Sequence, residues 1–215
     1  MTSEGWLADT RTSYDTVAAS YADQLRDALA TQPYLRAALA LFADLVGACG
    51  GGPVADVGCG PGRITAHLRE LGLDAFGIDL SPAMIDVARR DYPGVRFEVG
   101  SMTSLDLADE SVAGLLAWWS LVHTPDDAIP GVFAQFRRVL RPGAPLVLGF
   151  HVGDRSWHKT EGYGGHPMNV YVHRRPPARL AAWLHEAGFT VEAELLLDPD
   201  AETQGGVLFA RRPPN

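Results

Sequence analysis

The sequence predicts an α/β fold, a doubly wound sheet with helices on both faces. Short apolar runs alternate with amphipathic helical stretches from about residue 54 to residue 150. Within them, Val54-Ala55-Asp56-Val57-Gly58-Cys59-Gly60-Pro61-Gly62 reads as a strand, a glycine-rich turn and the start of a helix. A second strand ends in Gly77-Ile78-Asp79, placing a carboxylate 21 residues after Gly58. Ligands of such sheets sit beyond the carboxyl ends of the strands, where strand order reverses. The segments after strands one to five are therefore expected to line a site.

Each element has a local reason. Tyr14, Val17, Ala18, Tyr21, Leu25 and Leu29 recur at helical spacing, so an amphipathic helix is expected to start near Ser13. Leu35, Leu39, Phe42 and Val46 mark a second helix, stopped at Gly47 and Gly50-Gly51-Gly52. The first strand lies near 54–57, and the helix after the glycine turn runs to Leu71, with Gly72 placed to end it. The second strand covers about 75–79. Ser81-Pro82 then supplies an N-cap and a proline at the first helical position of a helix reaching Asp91. Residues 95–99 alternate as a third strand, and 112–117 form a buried fourth. Val132, Phe133, Phe136, Val139 and Leu140 give the apolar face of the next helix, broken by Arg141-Pro142-Gly143 before strand five at 145–150. Residues 153–168 show no period and are rich in Gly, His and aromatics, so they read as a long loop serving as a lid or binding segment, with 169–172 short and extended. Leu180, Trp183, Leu184 and Ala187 mark the last helix, capped by Gly188, before an antiparallel hairpin of 191–197 and 206–210.

Composition narrows the function classes. A chain of 215 residues is one domain able to bury a substantial core. Eighteen basic against 26 acidic residues give a net charge of -8, without the electrostatic footprint of a nucleic-acid-binding protein. Arg137, Arg138 and Arg141 suit the solvated C-terminal end of a helix instead. Two cysteines, Cys49 and Cys59, form no disulfide framework and no zinc spacing. Residues 1–11 lack a basic n-region and an apolar run, and the apolar stretch 112–122 is far short of the roughly 20 residues that span a bilayer. A soluble, cytoplasmic protein is expected, with no membrane partner and an oligomeric state left open.

The glycine spacing indicates which ligand is held. Asp79 stands where α/β nucleotide sites hold a ribose by its hydroxyls, so an adenosine-containing cofactor is indicated. A dinucleotide fingerprint is G-x-G-x-x-G, with helix-terminal N–H groups turned to a pyrophosphate. Here Gly58, Gly60 and Gly62 give G-x-G-x-G, with Arg63 where the last dinucleotide glycine would stand. Asp56, two residues before Gly58, would repel pyrophosphate and suits a ligand bearing an ammonium and a sulfonium. This pattern resembles motif I of the class I S-adenosylmethionine-dependent methyltransferases, and Asp79 resembles the acidic residue ending their second strand. The resemblance covers about 54–210. It implies a Rossmann-like, seven-stranded, mostly parallel sheet with an antiparallel last strand. It divides the chain into a helical cap at 1–50, a cofactor-binding core at 53–152, a lid at 153–170 and a closing helix and strands at 171–215.

The same resemblance implies roles for particular residues. Gly58, Cys59, Gly60 and Gly62 approach the methionine part of S-adenosylmethionine, the thiol of Cys59 serving as a small packing group. Leu80, Met84, Ser101 and Met102 frame the adenine, and Gly100-Ser101-Met102 departs from the family's frequent Gly-Asp pattern. A backbone carbonyl near Trp118 meets the methionine ammonium. Tyr14 and Tyr21 resemble the Tyr-x-x-x-Ala-x-x-Tyr helix that closes over the cofactor in many small-molecule methyltransferases.

Methyl transfer needs an acceptor placed in line in a dry site, and a base only where the acceptor is protonated. His123 and His151 follow strands four and five at the ligand edge, and both are candidates for orienting or deprotonating the acceptor. Trp119, Tyr163 and His166 join them as candidate substrate-binding residues. No spacing argues for a metal at His123, His151 and His166. The expected activity is methylation of O, N or C on a small-molecule acceptor, placed in specialised metabolism. The alternatives are a non-catalytic cofactor-binding module and a nicotinamide-dependent oxidoreductase, the latter opposed by Asp56 and the missing glycine position. Protein or nucleic-acid methylation lacks an Asn-Pro-Pro-Tyr-like element after strand four.

Overall fold

A computed structural model describes residues 5–198 and 204–214, so residues 1–4 of the N-terminal stretch 1–11, and residues 199–203 and 215 of the 171–215 segment, lie outside the described residues. Two helices, α1 (Gly5–Leu25) and α2 (Pro33–Ala48), lead into β1 (Pro53–Val57), α3 (Arg63–Glu70), β2 (Asp74–Asp79), α4 (Pro82–Asp91), β3 (Phe97–Val99) and β4 (Gly114–Trp118). A 3-10 turn at Leu121–His123 follows, then α5 (Ile129–Val139) and β5 (Pro145–His151). The chain continues through β6 (Ser156–Gly162), β7 (His166–His173), α6 (Pro177–Glu186), β8 (Thr190–Leu197) and β9 (Gly205–Arg211).

Seven strands form one sheet in the order β3-β2-β1-β4-β5-β9-β8. β1 pairs in parallel with β2 on one side and β4 on the other, so strand order reverses between β1 and β4. β9 is antiparallel to both neighbours, β5 and β8. Alternation along the strands sorts the core onto two faces. Ala55, Val57, Leu115, Ala117, Leu146 and Leu148 pack against Phe133 and Phe136 of α5 and Leu180 and Leu184 of α6. Val54, Leu116 and Val147 point the other way, onto Leu39, Phe42 and Val46 of α2 and Leu68 of α3. Ser81 caps α4 as its position predicts, its hydroxyl accepting the Met84 N–H at 3.1 Å.

Two expectations are corrected. Residues 153–168 are not an aperiodic loop: β6 and β7 pair antiparallel, with Trp157 opposite Val172 and Lys159 opposite Val170. Met168, Val170 and Val172 of β7 are buried in alternation, the first two in a cluster with Val17, Ala18 and Ala22 of α1. β6 is exposed or half-buried along its whole length, so it carries no alternation to read; its order comes from its pairing with β7. The second correction is α1, which begins by Gly5, eight residues before the predicted start, and so adds two turns to the cap.

Candidate active site

The glycine turn after β1 is shaped by contact. Gly58, at φ +77°, lies so close to Ser120 that a Cβ would meet the serine Cβ at 2.2 Å, so the segment after β4 can approach the turn only over a glycine. Gly62, at φ +82°, packs against Phe97 and Ala88, where a Cβ would come within 2.6 Å of the Phe97 ring. Gly62 and the Cys59 thiol, which is buried against Phe97, Ile85 and Ala88, thus brace the turn from beneath, while Gly58 and Gly60 line the cleft above it.

Asp79 holds this turn by its carboxylate. One oxygen accepts the Gly60 N–H at 2.7 Å and the other the Ser81 N–H at 2.9 Å. Burial pushes its carboxyl up to about 6 against the pull of those two donors. Asp56 lies deeper. It is fully buried, accepts the Thr65 hydroxyl at 2.6 Å on one oxygen, and has no partner for the other among the described residues. Burial raises it to about 7. Asp56 opens into a small cavity of about 310 Å³ below the turn, shared with Tyr21, Gly60, Arg63 and Trp118.

Above the turn is a cleft of about 750 Å³. Gly58, Gly60, Asp79, Leu80, Met84, Ser101, Met102 and Trp118 all line it, so the residues expected at a cofactor meet there. Met84 is both core and wall: it is completely buried, yet it borders the cleft. α1 roofs the cleft with Tyr14 and Tyr21, and also with Trp6, Leu7, Thr10 and Arg11, which the sequence analysis did not single out. Trp6, Thr10 and Tyr14 are four residues apart, so the helical spacing that runs on from Tyr14 also extends back to Trp6. The roof is fastened at two points besides His123. Asp15 accepts the Ser81 hydroxyl at 2.6 Å and the Ala83 N–H at 3.1 Å, and Ser13 accepts the Asn169 N–H of β7 at 2.8 Å.

His123 is 7% exposed at the end of the 3-10 turn. Its Nδ1 lies 2.7 Å from the Tyr171 carbonyl, which only accepts, so Nδ1 carries the proton. Nε2 then accepts the Tyr14 hydroxyl at 2.8 Å. Burial lowers His123 to about 4 and raises Tyr14 well above the ordinary phenol range, so the pair is neutral at neutral pH. Buried Arg175 fixes the turn that carries His123, donating to the carbonyls of Leu121 and Thr124 and pairing with Asp126 at 3.0 Å.

A second and larger cavity, about 1810 Å³, lies beside the cleft and shares Tyr14, Tyr21, Trp118, Trp119 and His123 with it. Trp119 sits at φ +54°, rare for a bulky residue, with its ring laid over Gly149, where a Cβ would come within 2.5 Å. Tyr163 and His151 also line this cavity. Tyr163 meets Tyr21 edge-on at 4.6 Å, and His151 faces Trp119 at 6.2 Å. Burial, Arg174 and Lys159 lower His151. His166 is not brought in: it is exposed at the start of β7 and borders neither cavity. Among the described residues no three His, Cys, Asp or Glu side chains converge as a metal site, and no helix is long and apolar enough to cross a membrane.

The cleft fits S-adenosylmethionine on its own features, glycine backbone without side chains and Asp79 at the strand end, while the Asp56 oxygen that has no partner among the described residues faces the small neighbouring cavity that shares Tyr21, Gly58, Gly60 and Trp118 with the cleft. Comparison with known proteins agrees. Residues 54–143 match a family described as a methyltransferase domain. The chain is 33% identical over 125 residues to N-demethylindolmycin N-methyltransferase of Streptomyces griseus, covering 55% of this chain and 53% of that protein. It is 30% identical over 158 residues to a ubiquinone biosynthesis O-methyltransferase of Xanthomonas axonopodis, covering 66% and 64%. The chain spans about half the length of the first curated relatives it matches, between 38% and 53%. The structure of Burkholderia thailandensis 1,6-didemethyltoxoflavin-N1-methyltransferase, bound to 1,6-didemethyltoxoflavin and S-adenosylhomocysteine, superimposes with a TM-score of 0.74 at 26% identity, covering 99% of this chain and 91% of that one. In its seven-stranded sheet order, its glycine turn and its Asp79 anchor, the chain is similar to the class I S-adenosylmethionine-dependent methyltransferases, the family match lying over residues 54–143.

Proposed function

We propose that the protein methylates O, N or C of a small-molecule acceptor in the cytoplasm, using S-adenosylmethionine. The observation that carries this reading is a pair of adjacent cavities: a glycine-floored cleft with Asp79 at one wall, and a separate chamber that shares Tyr14, Trp119 and His123 with it as a common wall. One space suits the cofactor and the other an acceptor. The cofactor, when bound, supplies an electrophilic methyl on a sulfonium. Asp79 would hold the ribose hydroxyls with the lone pairs left free by Gly60 and Ser81. Leu80, Met84, Ser101 and Met102 would frame the adenine. Asp56 and the backbone near Trp118 would face the ammonium, while Tyr14 and Tyr21 close the site from α1.

His123 serves in this reading as a positioning residue. Its Nε2 is taken by the Tyr14 hydroxyl and its basicity is suppressed to about 4, which suits it to fixing Tyr14 at the junction rather than removing a proton. His151 has a buried Nδ1 without a partner among the described residues and borders the acceptor chamber, so it is the candidate to meet the acceptor. The domain division carries over, with a hairpin in place of the loop over the site. Incubation with methyl-labelled S-adenosylmethionine and a panel of aromatic and heteroaromatic phenols, acids and amines tests the function. Label transferred to a small molecule supports it, and a chain that binds the cofactor but transfers label to nothing beyond background would favour the cofactor-binding module.

A further inference from the structure

The acceptor chamber holds the chain's only lysine, Lys159, against 17 arginines. Lys159 lies on β6, half-buried, with Nζ 4.3 Å from the centre of the Tyr163 ring. Among the described residues it makes no ion pair, although Glu161 and Asp198 border the same cavity, and no carboxylate offsets its burial. An ammonium withdrawn from water in this way lacks a counter-ion. Nearby, the Arg174 guanidinium lies 5.1 Å from the centre of the Trp157 ring. The charges of Lys159 and Arg174 both reach His151, whose Nδ1 is buried and unpartnered. Trp119, Trp157 and Tyr163 supply flat walls around these groups.

We propose that the chamber takes an aromatic carboxylic acid, the ring held against the aromatic walls and the carboxylate paired with Lys159. This inference rests on the methyltransferase reading and names the acceptor class for that same site. Ring stacking supplies apolar contact area, and the acid supplies the missing counter-ion in a partly desolvated setting, where an ion pair is stronger than in water. A neutral isostere would leave the ammonium uncompensated, so discrimination should be large.

Calorimetry on the full chain saturated with S-adenosylhomocysteine tests this, with salicylate and anthranilate as probes against salicylamide and anthranilamide. The acids should bind at least tenfold more tightly than their amides. Lys159→Gln should erase that preference, Lys159→Arg should keep part of it, and neither should alter affinity for S-adenosylhomocysteine. Equal binding of acids and amides, a preference that survives in Lys159→Gln, or failure of both acids to bind overturns the acceptor class alone. Failure of S-adenosylhomocysteine to bind overturns the cofactor reading beneath it, and this proposal with it.

Discussion

Replacing Asp56 by Asn should stabilise the ligand-free protein while weakening its hold on the cofactor. Asp56 is completely buried, with one oxygen on Thr65 and the other without a partner. Burial raises its carboxyl from 3.8 to about 7. Between those values the folded protein holds a proton that the unfolded chain has released, so the carboxylate opposes folding above pH 7 and the penalty is relieved as pH falls. Each pH unit of that rise is about 1.4 kcal/mol, so the charge costs on the order of 4 kcal/mol at about pH 8. Asn keeps an oxygen for Thr65 but brings an amide donor with no acceptor, a cost of about 1–3 kcal/mol. The net gain in Asp56→Asn should be about 1–3 kcal/mol at about pH 8 and should vanish or reverse at about pH 5. Urea unfolding of both proteins at the two pH values measures it, and calorimetry should show S-adenosylhomocysteine binding roughly tenfold or more weakly in the variant, the scale of a lost hydrogen bond to a charged group. Parallel pH profiles, or a variant less stable at about pH 8, would show that the buried Asp56 carboxylate does not oppose folding.

Other perturbations follow from the same geometry. Asp79→Ala should weaken S-adenosylhomocysteine binding by about 1.5–3 kcal/mol and also lower the unfolding midpoint, because Gly60 and Ser81 lose their acceptor; unchanged affinity in a folded variant would remove Asp79 from the ligand. Gly58→Ala, which drives a Cβ onto Ser120, should lose roughly 2 kcal/mol or more of stability by denaturant titration. Tyr14→Phe and His123→Ala should lower turnover to a similar degree and not additively when combined, since each breaks the same bond; a step in the rate profile near pH 6.5 abolished by His123→Ala alone would instead mark a free base. Hydrogen exchange should show α1 and the β6–β7 hairpin gaining protection together on cofactor binding, because Ser13 and β7 share a hydrogen bond; protection of one without the other would uncouple them.

What could be read from the sequence was local chemistry. The turn from Gly58 to Gly62 and the cap at Ser81-Pro82 announce themselves because the backbone conformations they require favour those residue types. The carboxylates at Asp56 and Asp79 could be given roles because strand ends locate the cleft. Long-range pairing was illegible. Tyr14 and His123 are 109 positions apart, so nothing in the spacing tells that the hydroxyl of one consumes the basic nitrogen of the other. Gly62 and Cys59 belong to the motif by position, but their contacts are with Phe97 and Ala88, a packing role that the motif alone does not reveal. β6 is illegible in the sequence because its pattern is polar on both faces, and Lys159 carries no spacing signal that would bring it beside Tyr163; only the hairpin does that.

The Asp79-anchored cleft is shaped for S-adenosylmethionine, not for a dinucleotide. Calorimetric titration of the full chain with S-adenosylhomocysteine, alongside NAD and NADP, tests it most directly. S-adenosylhomocysteine should saturate a single site, weakened by Asp79→Ala, and either dinucleotide should give little or no heat. Tight binding of a dinucleotide with none of S-adenosylhomocysteine would contradict it.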